Sequence, residues 1–197
     1  YTLLSNPHHS IRLLRFLLAT FDEAEIHVEL FEYDRHKPKP SYEALSYVWG
    51  APNPARIIYI GDNYLEITPD LHTALLRLRD YSFPRIIWID AICINQQDNG
   101  EKGVQIQSMA WIYASAKRVL VFLGEAADGS DEALDSIRTI GMQPGHNSSE
   151  DTIRAVSLLL QREWFQRIWV LQEVAAARHI TVICGSTEVD AQAFCSG

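Results

Sequence analysis

Three short stretches of this chain concentrate residues that can do chemistry. Tyr42-Glu43-Ala44-Leu45-Ser46-Tyr47-Val48-Trp49-Gly50 brings the hydroxyls of Ser46 and Tyr47 and the indole of Trp49 to the end of an apolar run, and Gly50 permits a sharp turn there. Trp88-Ile89-Asp90-Ala91-Ile92-Cys93-Ile94-Asn95-Gln96 sets one carboxylate, Asp90, in surroundings so apolar that it needs a partner, because a buried unpaired charge is strongly unfavourable. Arg12, Arg56 or a backbone cap are the candidates for that partner. In Trp164–Val174, Trp169 and Glu173 stand four residues apart. On a helix advancing ~100° per residue they lie side by side, at the edge of a buried arc of Phe165, Ile168, Gln172 and Ala175. A carboxylate half out of water beside an indole has its pKa pushed up, as general bases and transition-state stabilisers do.

Each stretch also has a purely structural reading. Ser46 and Tyr47 fit an aromatic strand tip packed under a loop, Asp90 a capped acid, and Glu173 a rim carboxylate paired with Arg167 or Arg178. As a ligand-binding group, Asp90 would instead accept the hydroxyls of a ribose. Residue types alone leave both readings open. Cys93, in an apolar strand and without a His partner in sequence, reads as core. There is no G-x-G-x-x-G, G-K-[ST] or G-x-S-x-G, which disfavours a dehydrogenase, a P-loop NTPase and an α/β-hydrolase. Without C-x-x-C or H-E-x-x-H spacing, no metal site is expected.

The elements that must position these groups follow from periodicity. Strands are expected over Ile11–Leu18 and Ile26–Tyr33, joined by a turn over Ala19–Glu25, and over Tyr42–Trp49. Arg56–Ile60 and Tyr64–Ile67 flank Gly61-Asp62-Asn63 as a hairpin. Thr68-Pro69-Asp70 starts a helix with a cap, an N1 proline and an early acid. Arg85–Ile94 reads as one central strand, apolar on both faces. A helix over Glu101–Ala116 carries an apolar stripe of Ile106, Met109, Ala110 and Tyr113. Val119–Leu123 is a further buried strand. Helices are expected over Asp128–Ile140, Glu150–Leu160 and Trp164–Ala176, with a loop over Gly141–Ser149. His179–Cys184 is a last strand, and another helix begins near Val189. One α/β domain therefore spans 1–197. Residues 1–67 are strand-rich and add antiparallel strands or a hairpin; 68–197 alternate helix and strand, which predicts a mainly parallel sheet with helices on both faces. Ligands of such sheets bind at the carboxyl ends of the strands. The chain starts without Met and ends as a helix begins, so a piece excised from a longer protein is expected.

Composition restricts partners and place. The net charge is −8, with no basic stripe, so a nucleic-acid partner is not expected. The longest apolar runs fall well short of the ~20 residues a membrane-spanning helix requires. Three cysteines, none close in sequence to another, argue against a disulfide framework and fit a reducing, cytoplasmic setting.

Taken together, the clusters resemble the fungal heterokaryon-incompatibility (HET) domain. The matching residues are Tyr42-x-Ala44-Leu45-Ser46-Tyr47-x-Trp49-Gly50, Trp88-Ile89-Asp90-Ala91-x-Cys93-Ile94-Asn95-Gln96, then Glu101, Gln105, Met109, Tyr113 and Ala116, and Arg167-x-Trp169-x-x-Gln172-Glu173. One departure is Lys102, where the family often has Arg. The HET domain is similar in turn to Toll/interleukin-receptor (TIR) domains, in which a strand with a Ser-aromatic tip begins the fold and a helix carries W-x-x-x-E, the spacing of Trp169 and Glu173. That resemblance implies a TIR-like, flavodoxin-like core, a role in programmed cell death and innate immunity, and NAD⁺ as a substrate rather than a cofactor. Glu173 would be the catalytic residue, and Ser46, Tyr47, Trp49, Gly50, Asp90, Cys93, Asn95 and Trp169 would bind the dinucleotide. The alternative it leaves open is a non-enzymatic module that works by self-association.

Overall fold

The computed structural model describes residues 1–17, 25–80, 82–142 and 149–196. Nine strands form one mixed sheet: β1 (Ser10–Phe16), β2 (His27–Asp34), β3 (Glu43–Tyr47), β4 (Arg56–Ile60), β5 (Asn63–Ile67), β6 (Ile86–Trp88), β7 (Val119–Phe122), β8 (Ile180–Cys184) and β9 (Thr187–Asp190). The helices are α1 (Pro69–Leu78), α2 (Asp90–Cys93), α3 (Asn99–Ser115), α4 (Ser130–Met142), α5 (Glu150–Leu160), α6 (Val170–Ala175) and α7 (Ala191–Ser196). The strand order is β5-β4-β2-β1-β6-β3-β7-β8-β9.

The centre of the sheet, β6-β3-β7-β8, is parallel, as alternation of helix and strand predicts. All of β3 and all of β7 are buried, which requires cover on both faces. The sheet as a whole is mixed rather than mainly parallel. β1 pairs antiparallel with both β2 and β6, β4 with β5, and β8 with β9, whereas β2 and β4 are parallel. The N-terminal strands join the main sheet through the β1–β6 pairing, a long-range choice that local pattern does not specify.

Local chemistry explains several boundaries. Thr68 caps α1 by accepting the Leu71 N–H at 3.3 Å, and Pro69 occupies its first turn. Asp98 caps α3 through the N–H groups of Gly100 and Glu101. The strand expected over Arg85–Ile94 is cut to β6, because α2 begins at Asp90 and the carboxylate of Asp90 accepts the Ala91 N–H at 2.7 Å. A short apolar run does not by itself distinguish a strand from a buried helix turn. The helix expected over Trp164–Ala176 is broken: a 3₁₀ turn covers Glu163–Gln166, Arg167 takes an extended conformation, and α6 starts afresh at Val170. The phase resets there, so Ile168 and Gln172 are exposed and Val170 and Glu173 are buried. Val189 lies in β9, with α7 following it. The turn expected over Ala19–Glu25 and the loop over Gly141–Ser149 fall largely outside the described residues.

On α3 the buried stripe is Glu101, Gln105, Met109, Ile112 and Tyr113, not one through Ile106 and Ala110. Two of those positions are polar, and each has its partners. Gln105 donates to the carbonyls of Pro7 and Ser10 at 2.8 and 3.0 Å. Glu101 receives the Arg12 guanidinium through two bonds, of 2.5 and 2.8 Å, and the Asn95 N–H at 2.9 Å. Arg12 also donates to the carbonyls of Cys93 and Thr2. This buried fork ties β1 to α3 and holds the end of α2, the helix that Asp90 opens, and the segment that follows it.

Burial alone would raise the pKa of Glu101, but the hydrogen bonds from Arg12 and Asn95 and the Arg12 charge outweigh it and leave it below the ordinary value. The stabilisation is therefore present above the unfolded pKa of about 4.3 and lost as pH falls through the lower folded value. Glu101→Gln should cost about 3–5 kcal/mol at neutral pH, because it strands a buried guanidinium. Urea unfolding checks this. The gap between wild type and variant should shrink below about pH 4; a gap that stays constant there would contradict it.

Candidate functional site

The parallel strands β3 and β6 deliver their carboxyl ends to one place. Ser46 is the penultimate residue of β3, and Asp90 follows β6 by two positions. α6 crosses nearby and turns Glu173 toward Ser46. Glu173 Oε2 accepts the Ser46 hydroxyl proton, and Ser46 Oγ accepts the indole N–H of Trp164 at 2.8 Å. All three side chains are buried, with Glu173 only 2% exposed.

Beside this chain of bonds lies a cavity of about 230 Å³, open at its mouth. Asp90, Arg167 and Glu173 supply its polar wall. Trp49 and Trp169 stand at its rim, 40% and 51% exposed. α3 completes the lining with Lys102, Ile106 and Met109, and Ile94 and Gln96 with the segment after α2. The rim is fixed in part by Asp90, which accepts the Trp49 N–H on Oδ2 at 3.0 Å while its Oδ1 takes the Ala91 N–H. Gln96 closes the turn by donating to the Asp90 carbonyl at 2.9 Å. Arg167 is anchored through a bond to the carbonyl of Tyr47.

Both carboxylates titrate above their ordinary values. For Glu173 the chief cause is burial, with the Asp90 charge adding to it, against the Ser46 hydrogen bond and the Arg167 charge. For Asp90 it is burial again, opposed by Trp49, the Ala91 N–H and Arg167. Two acids with raised pKa values beside one guanidinium, in a cavity, mark a candidate functional site.

The residues singled out in the sequence distribute as follows. Glu173, Asp90, Trp49 and Trp169 line the cavity, and Ser46 reaches it through Glu173. Tyr47, Gly50, Cys93 and Asn95 are not among its lining residues. Among the described residues the buried Tyr47 hydroxyl has no hydrogen-bond partner, and its pKa is pushed up by burial and by the Asp90 charge. Gly50 has φ +67°, and a Cβ there would fall 1.5 Å from Asp70 Oδ2, so glycine serves the turn itself. Cys93 packs in the core, where burial pushes its thiol up to about 12. Asn95 spends its side-chain oxygen on the Gln97 N–H at 3.2 Å. Asp90 is served by Trp49 and a backbone cap, not by Arg12, which belongs to Glu101.

Sequence reasoning missed Trp164 as the donor to Ser46 and the contribution of α3 to the wall. The second carried a signal: Lys102, Ile106 and Met109 follow i, i+4, i+7 spacing and share one helix face.

The family model for the heterokaryon incompatibility protein (HET) matches residues 42–173, from the residue before β3 to the buried glutamate itself. The chain belongs to the HET family. A similar protein is Heterokaryon incompatibility protein 6, OR allele, of Neurospora crassa, 29% identical over 232 aligned residues. The alignment covers 92% of this chain and 34% of the relative, so this HET domain spans about a third of that protein's length. No solved structure matches. No helix among the described residues is long and apolar enough to cross a membrane.

A raised carboxyl pKa makes the folded state more stable below the unfolded value of about 4.3 and less stable as pH rises through the folded value. Glu173→Gln keeps an acceptor for Ser46 and removes the ionisation. The variant should therefore gain stability relative to wild type between pH 4 and pH 8, measured by urea unfolding at both. A difference independent of pH would mean that Glu173 titrates like a surface acid.

Proposed function

We propose that this HET domain acts in fungal heterokaryon incompatibility as a cell-death module that cleaves the nicotinamide–ribose bond of NAD⁺. The observation that carries the reading is one cavity that joins two carboxylates with raised pKa values, a guanidinium and two half-exposed indoles at the carboxyl edge of a parallel sheet. By chain order the parallel strands β3, β6, β7 and β8 sit 2-1-3-4, the order of the first four strands of a flavodoxin-like sheet, which agrees with the TIR-like reading. A cavity of this size is below the ~300–1,000 Å³ of pockets that enclose a drug-sized ligand. It suits the reacting end of a dinucleotide, with the remainder lying across the rim. Trp49 and Trp169 offer faces for stacking, worth about 1–3 kcal/mol per base. Lys102 and Arg167 offer charge to the phosphates.

In this reaction the C1′–N bond breaks and nicotinamide departs as a neutral base with the bonding pair. The developing oxocarbenium centre lies against the Glu173 carboxylate, whose stabilisation grows in the transition state and is stronger out of water. Water then attacks C1′ and gives up one proton to Glu173, which returns it to solvent. The products are nicotinamide, ADP-ribose and a proton. Glycoside hydrolysis commonly needs a second acid to protonate the leaving group. A cationic pyridinium needs none, so Asp90 is free to orient Trp49 and the ribose.

A second reading rests on a different observation. Ile168 and Leu171 flank Trp169 on the surface, 76% and 65% exposed, an apolar patch suited to self-association. The two readings separate experimentally. Concentrated domain incubated with NAD⁺ should release nicotinamide, and Glu173→Gln should lower the rate at least a hundredfold without loss of fold, in line with removal of one electrostatic group at a reacting centre. Inert wild type, together with a Glu173→Gln variant that still kills cells, would leave the self-association module in its place.

A further inference from the structure

The bond from Trp164 to Ser46 has a consequence for Glu173. An indole N–H can only donate, and a serine hydroxyl has one proton. Because Ser46 Oγ accepts from Trp164, its remaining useful contribution is to donate, and the acceptor it reaches is Glu173 Oε2. A protonated Glu173 would have to donate to an oxygen that already accepts from the indole, and Ser46 would then need another acceptor for its own proton. The three groups are buried and come from separate elements: β3, the 3₁₀ turn and α6.

We propose that Trp164 is a positioning residue that acts through Ser46, fixing the direction of its hydroxyl so that Glu173 is held as a carboxylate facing the cavity. As a role in catalysis this rests on the function proposed above; as a statement about Glu173 it stands by itself. The other charged and titratable groups facing Glu173 are Asp90 after β6, Arg167 before α6, Tyr113 and Lys102 of α3. Asp90 opposes its ionisation and Arg167 favours it. None of these is altered by removing the indole N–H, so the effect of that change isolates the donor chain.

The test is a titration of the Glu173 side-chain carboxyl by carbon-13 NMR in the full domain, with Glu173→Gln used to assign the signal. In Trp164→Phe the midpoint should rise by about half a unit to one unit, the worth of one net hydrogen bond. In Ser46→Ala it should rise at least as far, and adding Trp164→Phe to Ser46→Ala should change it no further, since the indole acts only through the hydroxyl. Ser46→Thr keeps the hydroxyl and should restore the wild-type midpoint. If Trp164→Phe does not fold, a benzothienyl analogue at position 164 removes the N–H and keeps the ring. A folded variant lacking the N–H but titrating as wild type overturns the proposal, as does a further shift when both changes are combined. Absence of NAD⁺ cleavage in every variant would remove the catalytic role and leave the titration result to decide the coupling.

Discussion

A carboxylate withdrawn from water at the edge of a sheet is costly unless donors and cations surround it, and the candidate site is organised around one such group. Glu173 is held by the Ser46 hydroxyl at the tip of β3, with Arg167 close by and Asp90 opposing it. For that bond to exist, β3 must end where α6 arrives, and α6 must restart after the break at Arg167 so that Glu173 faces inward. A continuous helix from Trp164 would put Phe165, Ile168 and Gln172 on the buried face and push the acid to its margin. The break is thus what converts a rim residue into a buried one.

The rest of the polar interior serves the same geometry at a distance. Arg12 and Glu101 lock the segment after α2 against β1 and α3, directly downstream of Asp90, which opens α2 and holds the indole of Trp49. At the opposite end of β3, Glu43 pairs with Arg85 and Arg118, tying the starts of β6 and β7 to it. In these two clusters each charge has a counterion, so they hold register at little net gain or loss in stability. The cavity is what remains between the polar supports: a recess into which Asp90, Arg167, Glu173 and Lys102 bring charge, with two indoles at its rim.

Family membership and site geometry point the same way but answer different questions. The matched region ends at Glu173, so the glutamate lies within the segment that matches the family. The proposed cleavage of NAD⁺ rests on chemistry alone: a dry carboxylate beside a cation and stacking surfaces fits a cationic leaving group on a sugar. The exposed Ile168 and Leu171 flank Trp169, which stands at the rim of that cavity.

Much of this was legible in the sequence. The hairpin, the capped start of α1 and the buried β7 follow from turn chemistry, caps and apolar runs, and the cost of burying an acid singled out Asp90 and Glu173 as residues in need of partners. These are local signals, encoded within a few residues. The tertiary structure decided which groups meet. That β1 adds antiparallel to β6, that Arg12 serves Glu101 rather than Asp90, and that Trp164 serves Ser46 are pairings across more than seventy residues in sequence, and no local preference selects one partner over another. The α3 stripe went astray for the same reason: Glu101 and Gln105 are buried only because distant donors and acceptors satisfy them, and residue type alone assigns such positions to water.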